Sequence, residues 1–194
     1  MQELTLNLTG THPLLMHCPR SVNTLDEGTR ELKKYTGKRK KTDEDVAIIA
    51  RLEWNLGLYW DEVNGPYIPG VNVEIMLRDA GKLTKQGAAV TRGVLVTQSE
   101  LPLQFSARKA KQSKQDLWDQ NLKWITAVGN QKARVMRCRP MFGGWSLSVP
   151  LMVQEDVLNV EDVVAIAERG GVMIGLGDYR PRFGRFTVEV ATSV

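Results

Sequence analysis

The apolar residues of this chain recur with two periods, and each period predicts a different kind of element. Alternation of apolar and polar positions predicts half-buried strands; the segments are ELTLNLT (3–9), TRGVLVTQ (91–98), LPLQFSA (101–107), ARVMRCRP (133–140), WSLSVPLMV (145–153) and RFTVEV (185–190). A spacing of three and four residues predicts helices; the segments are TDEDVAIIARLEWNL (42–56), VNVEIMLRDAGKL (71–83) and VEDVVAIAE (160–168). Because Gly143 and Gly144 form a turn signal between the fourth and fifth strand segments, we expect these to form a hairpin.

The order of the regular elements predicts the fold class. When the less regular segments are set aside, the order is strand, helix, strand, strand, helix, strand. This order indicates an α+β fold of the ferredoxin-like type (split βαβ, RRM-like), in which helices cover one face of an antiparallel sheet. We predict one domain over residues 1–194, with basic insertions at about 20–66 and 107–130. Pro150 favours an edge strand or a bulge in its segment.

The composition is that of an ordinary globular protein, with 42% apolar and 25% charged residues. No apolar run approaches the ~20 residues of a membrane span, and the first residues lack the features of a signal peptide. We therefore expect a cytoplasmic protein without a membrane partner. Cys18 and Cys138 lie far apart in the sequence, which favours free thiols over a disulfide framework.

Positive charge is concentrated in four segments, although the formal net charge is only +4. The segments are GKRKK (37–41), ARKAKQSK (107–114), KARVMRCR (132–139) and YRPRFGR (179–185). Clustered cations attract polyanions, of which nucleic acid is the commonest. A solvated loop would explain any one segment, but four segments favour a binding surface. In the third, alternation places Arg137 and Arg139 on one face of a strand.

The segment GLGDYRPRFGRF (175–186) combines glycines and arginines directly before the last predicted strand. Glycine permits backbone conformations that other residues avoid and lets the chain approach a ligand closely. Arginine presents a planar guanidinium group to phosphate oxygens. The residues are Gly175, Gly177, Gly184, Arg180, Arg182 and Arg185. The pattern predicts a phosphate-binding loop.

Two motifs resemble those of a known superfamily. YIPGVNVEIMLRDAGK (67–82) resembles the start of the first helix in the RAMP superfamily, the ferredoxin-like subunits that form the backbone of CRISPR effector complexes. GLGDYRPRFGRFTVE (175–189) resembles the glycine-rich loop and following strand of that superfamily. The segments RVMRCRPMF and WSLSVPLMV, followed by this loop, also look like a group of small bacteriophage proteins of the superfamily.

The resemblance implies binding of RNA or single-stranded DNA in a bacterial host cell, often with self-assembly along the strand. The matching positions are Pro69, Gly70 and Arg78 in the first motif and Gly175, Gly177, Gly184 and Arg185 in the second. The chain is shorter than the larger CRISPR backbone subunits, so their long insertion is not expected, although 107–130 could be a reduced version.

Catalytic and metal chemistry have few candidates in the sequence. Some relatives are metal-independent ribonucleases that use a histidine, and the candidates here are His12 and His17, with Tyr35 as a helper. A zinc site from these histidines and the two cysteines would lack the close ligand pairs of structural zinc sites. There is no P-loop motif and no paired carboxylate arrangement for two metals. We therefore expect no cofactor, no metal and no catalytic residue.

Aromatic side chains could stack on bases. Trp54, Trp60 and Trp145 lie on or near apolar stripes, so we expect them in the core. Phe142, at the tip of the expected hairpin, and Trp118, beside the basic insertion, are the better candidates for stacking.

Together these features predict a non-catalytic protein that binds single-stranded nucleic acid, most simply a phage protein that binds single-stranded DNA in replication or recombination. Phosphate contacts position a strand without reading it, so little sequence preference is expected. The predicted contact residues are Lys38, Arg39, Lys40, Lys41, Arg78, Arg108, Lys109, Lys111, Lys114, Arg134, Arg137, Arg139, Phe142, Gly175, Gly177, Arg180, Arg182, Gly184 and Arg185. We expect the cations of 107–114, the sheet and the 180–185 loop to form one continuous channel.

Other functions remain open at this point. The chain could be a CRISPR-subunit-like RNA-binding protein, or an inhibitor that acts on a host protein complex. A metal-independent endoribonuclease is the least favoured alternative. The expected partners are therefore single-stranded DNA or RNA, further copies of the chain, and phage recombination or host CRISPR proteins.

Overall fold

The computed structural model describes residues 1–106, 112–130 and 133–191. The described strands are β1 (Gln2–Gly10), β2 (Leu14–Leu15), β3 (Trp60–Asp61), β4 (Gly65–Pro69), β5 (Val94–Val96), β6 (Glu100–Pro102), β7 (Lys123–Asn130), β8 (Ala133–Phe142), β9 (Ser146–Val153) and β10 (Phe186–Val190). The described helices are α1 (Glu27–Thr36), α2 (Asp43–Gly57), α3 (Gly70–Lys82), α4 (Gly87–Gly93), α5 (Lys114–Asp119) and α6 (Val160–Arg169). A 3-10 turn spans Pro19–Val22, and a π-helical turn spans Gly170–Ile174.

The chain forms two compact units. The described residues of 1–14, 60–106 and 142–191 form unit 1, and those of 15–59, 112–130 and 133–141 form unit 2. Unit 2 therefore contains much of the two segments that the sequence marks as insertions. The single domain with its two insertions stays a prediction.

The main sheet of unit 1 has the strand order β10-β1-β9-β5, and all of its neighbouring strands are antiparallel. Leu4, Leu6 and Leu8 are buried on one face, as their alternation predicts. On this sheet α3 contacts β5, α6 contacts β10, and the two helices contact each other. The fold is thus of the α+β class, as predicted.

The helices of unit 1 bury the stripes that the sequence predicts. In α3 the buried residues include Val73, Met76, Leu77 and Ala80, spaced at three and four positions. The helix α6 begins after Asn159, whose side chain accepts a hydrogen bond from the backbone nitrogen of Asp162. Unit 1 also contains a small sheet in the order β3-β4-β6.

The expected hairpin between β8 and β9 is wrong. The strand β9 lies between β1 and β5, whereas β8 pairs with β7 in a sheet of order β2-β8-β7. Alternation identifies a strand and its buried face, but it does not identify the neighbouring strand. The inward residues of β9, Leu147, Val149, Leu151 and Val153, need the cover that a central position under the helices provides.

Pro150 accordingly lies in a central strand and not at an edge. Its carbonyl oxygen accepts a hydrogen bond from the backbone nitrogen of Thr97, which follows the last residue of β5. A residue of an antiparallel strand points its nitrogen and its oxygen to the same side. The nitrogen that cannot donate therefore faces the β5 side beyond the last paired residue of that strand, where the ladder ends.

Unit 2 surrounds a buried tryptophan. Trp54 of α2 is fully buried, and its indole Nε1 donates to the carbonyl oxygen of Leu122 at 2.8 Å. The helix α2 begins with a capping box, in which Thr42 and Asp45 each accept a hydrogen bond from the other's backbone nitrogen.

Among the described residues, no helix has both the length and the apolar character to span a membrane.

Candidate nucleic-acid interface

The glycine and arginine segment of unit 1 is a closed loop whose backbone is held at both ends. The nitrogen of Gly175 donates to the carbonyl oxygen of Gly170 at 2.8 Å, inside the preceding π-helical turn. The nitrogen of Leu176 donates to the carbonyl oxygen of Gly184 at 2.9 Å. The nitrogen of Gly184 donates to the carbonyl oxygen of Pro13 at 2.8 Å. We call residues 175–185 the arginine loop.

The glycines of the arginine loop are required by the way the chain packs against itself. Gly175, Gly177 and Gly184 all have positive φ, at 76°, 82° and 72°. A Cβ atom on Gly184 would overlap the carbonyl oxygen of Leu176, and one on Gly175 would lie 2.8 Å from the oxygen of Phe183. The unusual backbone conformation expected of these glycines is present, and close approach to a ligand, the other reason expected from the sequence, is not needed to explain them.

The three arginines of this loop have different environments. Arg180 and Arg182 are exposed and make no hydrogen bond or ion pair with the described residues. Arg185 is half-buried, and its Nε donates to the carbonyl oxygen of Pro181 at 2.7 Å. Two arginines are therefore available to an anion, while the third closes the loop.

The end of β1 lies directly beside the arginine loop. The carbonyl oxygen of Arg185 accepts hydrogen bonds from the nitrogens of Thr11, at 2.8 Å, and His12, at 3.2 Å. The indole nitrogen of buried Trp145 donates to the carbonyl oxygen of His12 at 2.8 Å. Sequence reasoning considered His12 as a catalyst and missed it as a neighbour of this loop. The pairing of Gly10 with Phe186 creates this proximity, and strand periodicity gives no signal for which strands pair.

Arg78 lies on α3 in unit 1, away from the arginine loop in sequence. Its Nη2 is 3.2 Å from Oδ1 of Asp79, and the Nζ of Lys82 is 2.8 Å from the same oxygen. The hydrogen bond from Lys82, followed by that from Arg78, lowers the pKa of Asp79. Arg78 and Lys82 line an open cleft of about 390 Å³ together with Lys85, Gly87, Ala88 and Thr91. One carboxylate thus partly neutralises the charge of Arg78.

Arg137 in unit 2 has an internal partner. Its Nη1 donates to Oε1 of Glu53, a buried residue of α2 whose Oε2 accepts from the backbone nitrogen of Cys138 at 3.0 Å. The Cys138 thiol is buried as well, and burial, with the nearby Glu53 charge, raises its pKa to about 11. This ion pair argues against the predicted phosphate contact of Arg137, because the guanidinium already neutralises a buried carboxylate, but it does not test that contact.

The other cations of unit 2 are distributed over its surface. Lys38 forms an ion pair with Asp45 at 2.6 Å, and the Nζ of Lys41 donates to the carbonyl oxygen of Lys38 at 2.9 Å. Arg39 and Lys40 are exposed and make no hydrogen bond or ion pair with the described residues. Lys114 begins α5, and Arg139 is half-buried in β8 opposite Trp124.

Part of the predicted contact surface lies outside the described structure. Arg108, Lys109 and Lys111 are not among the described residues, and the side chain of Arg134 is not described. The arginine loop belongs to unit 1 and Arg139 belongs to unit 2. The continuous cationic channel therefore stays a prediction.

The prediction that Phe142 stacks on bases is wrong. Its side chain is 0% exposed, and its ring packs edge to face against Phe105 with the centroids 5.0 Å apart. Gly143 and Gly144 indicated that Phe142 lies at the tip of a hairpin. In the structure Phe142 is the last residue of β8, the turn comes after it, and its side chain lies in the core. Trp118 is half-exposed, with the Nζ of Lys123 4.0 Å and the guanidinium of Arg51 4.7 Å from its ring centre. Cations already lie against that ring.

The open face of the main sheet has neither cations nor aromatic rings at its described positions. The outward residues are Glu3, Thr5, Asn7, Thr9, Leu95, Ser146, Ser148, Pro150, Met152, Thr187 and Glu189. Sheets that bind single strands on an open face present aromatic side chains there. The sheet surface is therefore a poor candidate, and the arginine loop at its end is the better one.

Comparison with known proteins finds likenesses to solved structures. No family model matches the chain, and no curated protein matches it. A solved chain from the cryo-EM structure of the Type III-B Cmr-beta bound to cognate target RNA is similar, with a TM-score of 0.48 and 12% identity. The match covers 100% of this chain and 62% of the solved chain. This chain therefore spans less than two thirds of the length of the solved chain. A likeness of this size assigns neither family nor function.

Proposed function

We propose that this chain is a non-catalytic protein that binds single-stranded nucleic acid, and that Arg180 and Arg182 hold its phosphates. The observation that carries the proposal is their exposure without an internal partner among the described residues, on a loop whose backbone is fixed. A guanidinium group can donate two parallel hydrogen bonds to a phosphate. A loop that is already ordered loses little entropy when it binds.

The topology of unit 1 supports the finer fold assignment that we propose, a ferredoxin-like domain of the RAMP type. The helix α3 lies between β1 and β5 in the chain, α6 lies between β9 and β10, and the sheet order is β10-β1-β9-β5. This is the arrangement of the split βαβ pattern. At the first motif, a Cβ atom on Gly70 would overlap the carbonyl oxygen of Gln98, which gives the glycine a packing reason.

Single-stranded DNA in phage replication or recombination is the form of the proposal that the sequence motifs favour. Arginine contacts to phosphate would give little sequence preference. Arg39 and Lys40 are exposed cations of unit 2, and their part in binding is a separate question for the binding data. The proposal includes self-assembly along the strand. A role as a CRISPR-like RNA-binding protein is its alternative form, and the relative affinities for single-stranded DNA and RNA distinguish the two forms.

The direct test measures binding of the wild-type protein to matched single-stranded DNA, single-stranded RNA and duplex DNA across a salt series. Fluorescence anisotropy gives the affinity, and gel analysis of the same samples detects cleavage. We expect both the affinity for a single strand and its decrease with salt to be measurable, with the strand intact. Absence of binding to all three would contradict the proposal and would favour an interaction protein that acts on another protein. Cleavage would contradict its non-catalytic part.

A further inference from the structure

Tyr179 occupies an unusual position on the arginine loop. It directly precedes Arg180, and its side chain is 43% exposed. Its φ is 57°, in the left-handed region that bulky side chains rarely adopt. Such a conformation persists only where the surrounding structure holds it, and it is common at sites that bind ligands.

Hydrogen bonds hold this residue in place. The nitrogen of Tyr179 donates to Oδ1 of Asp178 at 2.9 Å, and its carbonyl oxygen accepts from the nitrogen of Phe183 at 3.2 Å. The turn therefore closes around Arg180 and Arg182. One closed turn thus contains an exposed aromatic ring and two exposed guanidinium groups.

The other aromatic candidates for stacking are less suitable. Phe142 is buried, and the ring of Trp118 lies against Arg51 and Lys123. The described positions on the open face of the main sheet have no aromatic residue. Tyr179 is the exposed aromatic residue in the turn of the proposed phosphate contacts, whereas Phe183, which closes that turn, is half-buried.

We propose that Tyr179 stacks on a base of the strand whose phosphates Arg180 and Arg182 hold, and that this contact makes the loop selective for single strands. The inference rests on the proposed function and deepens it. Every base presents a π-face, so stacking on tyrosine tolerates any sequence. In a duplex the faces of the bases are covered by neighbouring base pairs, which prevents this contact.

The test compares a single-stranded oligonucleotide with the same oligonucleotide made abasic at every position. Three variants are needed: Tyr179→Phe keeps the ring, while Tyr179→Asn and Tyr179→Gly remove it with residues that adopt the left-handed conformation. We expect the wild type and Tyr179→Phe to prefer the normal strand by roughly tenfold, within the range of one stacked base. Tyr179→Asn and Tyr179→Gly should bind the two strands within about twofold of each other. Tyr35→Ala, which removes a half-buried ring in unit 2, serves as the control.

The outcomes separate this inference from the proposed function. If both ring-removing variants keep the full preference for the normal strand, the stacking inference is wrong. If, in that case, Arg180→Gln/Arg182→Gln still weakens binding, the proposed function stands without the stacking contact. If the wild type binds neither strand, both fail. Salt slopes on the abasic strand that are equal in wild type and Tyr179→Asn would show that the loop itself is intact.

Discussion

The carboxylate of Glu53 and the guanidinium of Arg137 form an ion pair in unit 2, with the Glu53 side chain 5% exposed and that of Arg137 40% exposed. Glu53 also accepts a hydrogen bond from the backbone of β8, so the pair links α2 to the strand. Arg137 therefore serves the fold of unit 2, in contrast to Arg180 and Arg182 of the arginine loop.

Replacement of Arg137 by Gln should destabilise the protein without changing its binding of nucleic acid. The change leaves the buried Glu53 carboxylate without a cation. Removal of one partner of a fully buried pair costs about 3–5 kcal/mol, and partial exposure of Arg137 reduces the expected loss to about 2 kcal/mol. Urea unfolding measures the loss, and anisotropy measures the salt slope. An unchanged free energy of unfolding with a reduced salt slope would show that Arg137 contacts phosphate after all.

Sequence periodicity predicted that Arg137 and Cys138 face opposite sides of a strand, and the strand exists. It could not predict Glu53, because that partner is far away in the sequence and belongs to a helix. The same limit explains the wrong hairpin: the residues of β8 and β9 indicate strands, but their partners, β7 for one and β1 with β5 for the other, are set by tertiary packing. The leucine stripe of β1 and the buried face of α3 needed no such information.

The arginine loop shows a similar division. Its glycines and arginines were found from the sequence, since both residue types are unusual at that density. The distinction between Arg185, which bonds to Pro181, and the exposed side chains of Arg180 and Arg182 depends on how the loop closes. The periodicity of the sequence does not predict how the loop closes.

A change of Gly184 to Ala should destabilise unit 1 and weaken binding. The residue has φ of 72°, and a Cβ atom would overlap the carbonyl oxygen of Leu176. We expect a loss of more than about 1 kcal/mol in the free energy of unfolding, because the native backbone excludes the new side chain. Gly143→Ala is the matched control, since nothing lies within 4 Å of its Cβ position. Equal stability of the two variants would show that the loop does not need its left-handed glycine.

Acid should weaken the cap of α2 through Asp45. The hydrogen bond from Lys38, followed by that from the backbone nitrogen of Thr42, lowers the pKa of Asp45. A carboxyl whose pKa is lowered by folding contributes stability above its unfolded pKa of about 3.9, and that stability is lost as the pH falls through the folded pKa. Urea unfolding between pH 7 and acidic pH should therefore show a smaller acid loss in Asp45→Asn than in wild type. Parallel curves would contradict this role.

The most direct test of the central claim is the affinity of Arg180→Gln/Arg182→Gln for single-stranded DNA across a salt series, measured by fluorescence anisotropy. The matched control is Arg30→Gln/Arg92→Gln, which removes the same charge from two exposed arginines outside the arginine loop. If the loop arginines hold phosphates, their variant should bind more weakly, and its slope of log affinity against log salt should be about 1.4 smaller, or about 0.7 for each phosphate that is no longer neutralised. The control should keep the wild-type slope. Wild-type affinity and slope in the loop variant would contradict the claim that the arginine loop binds nucleic acid.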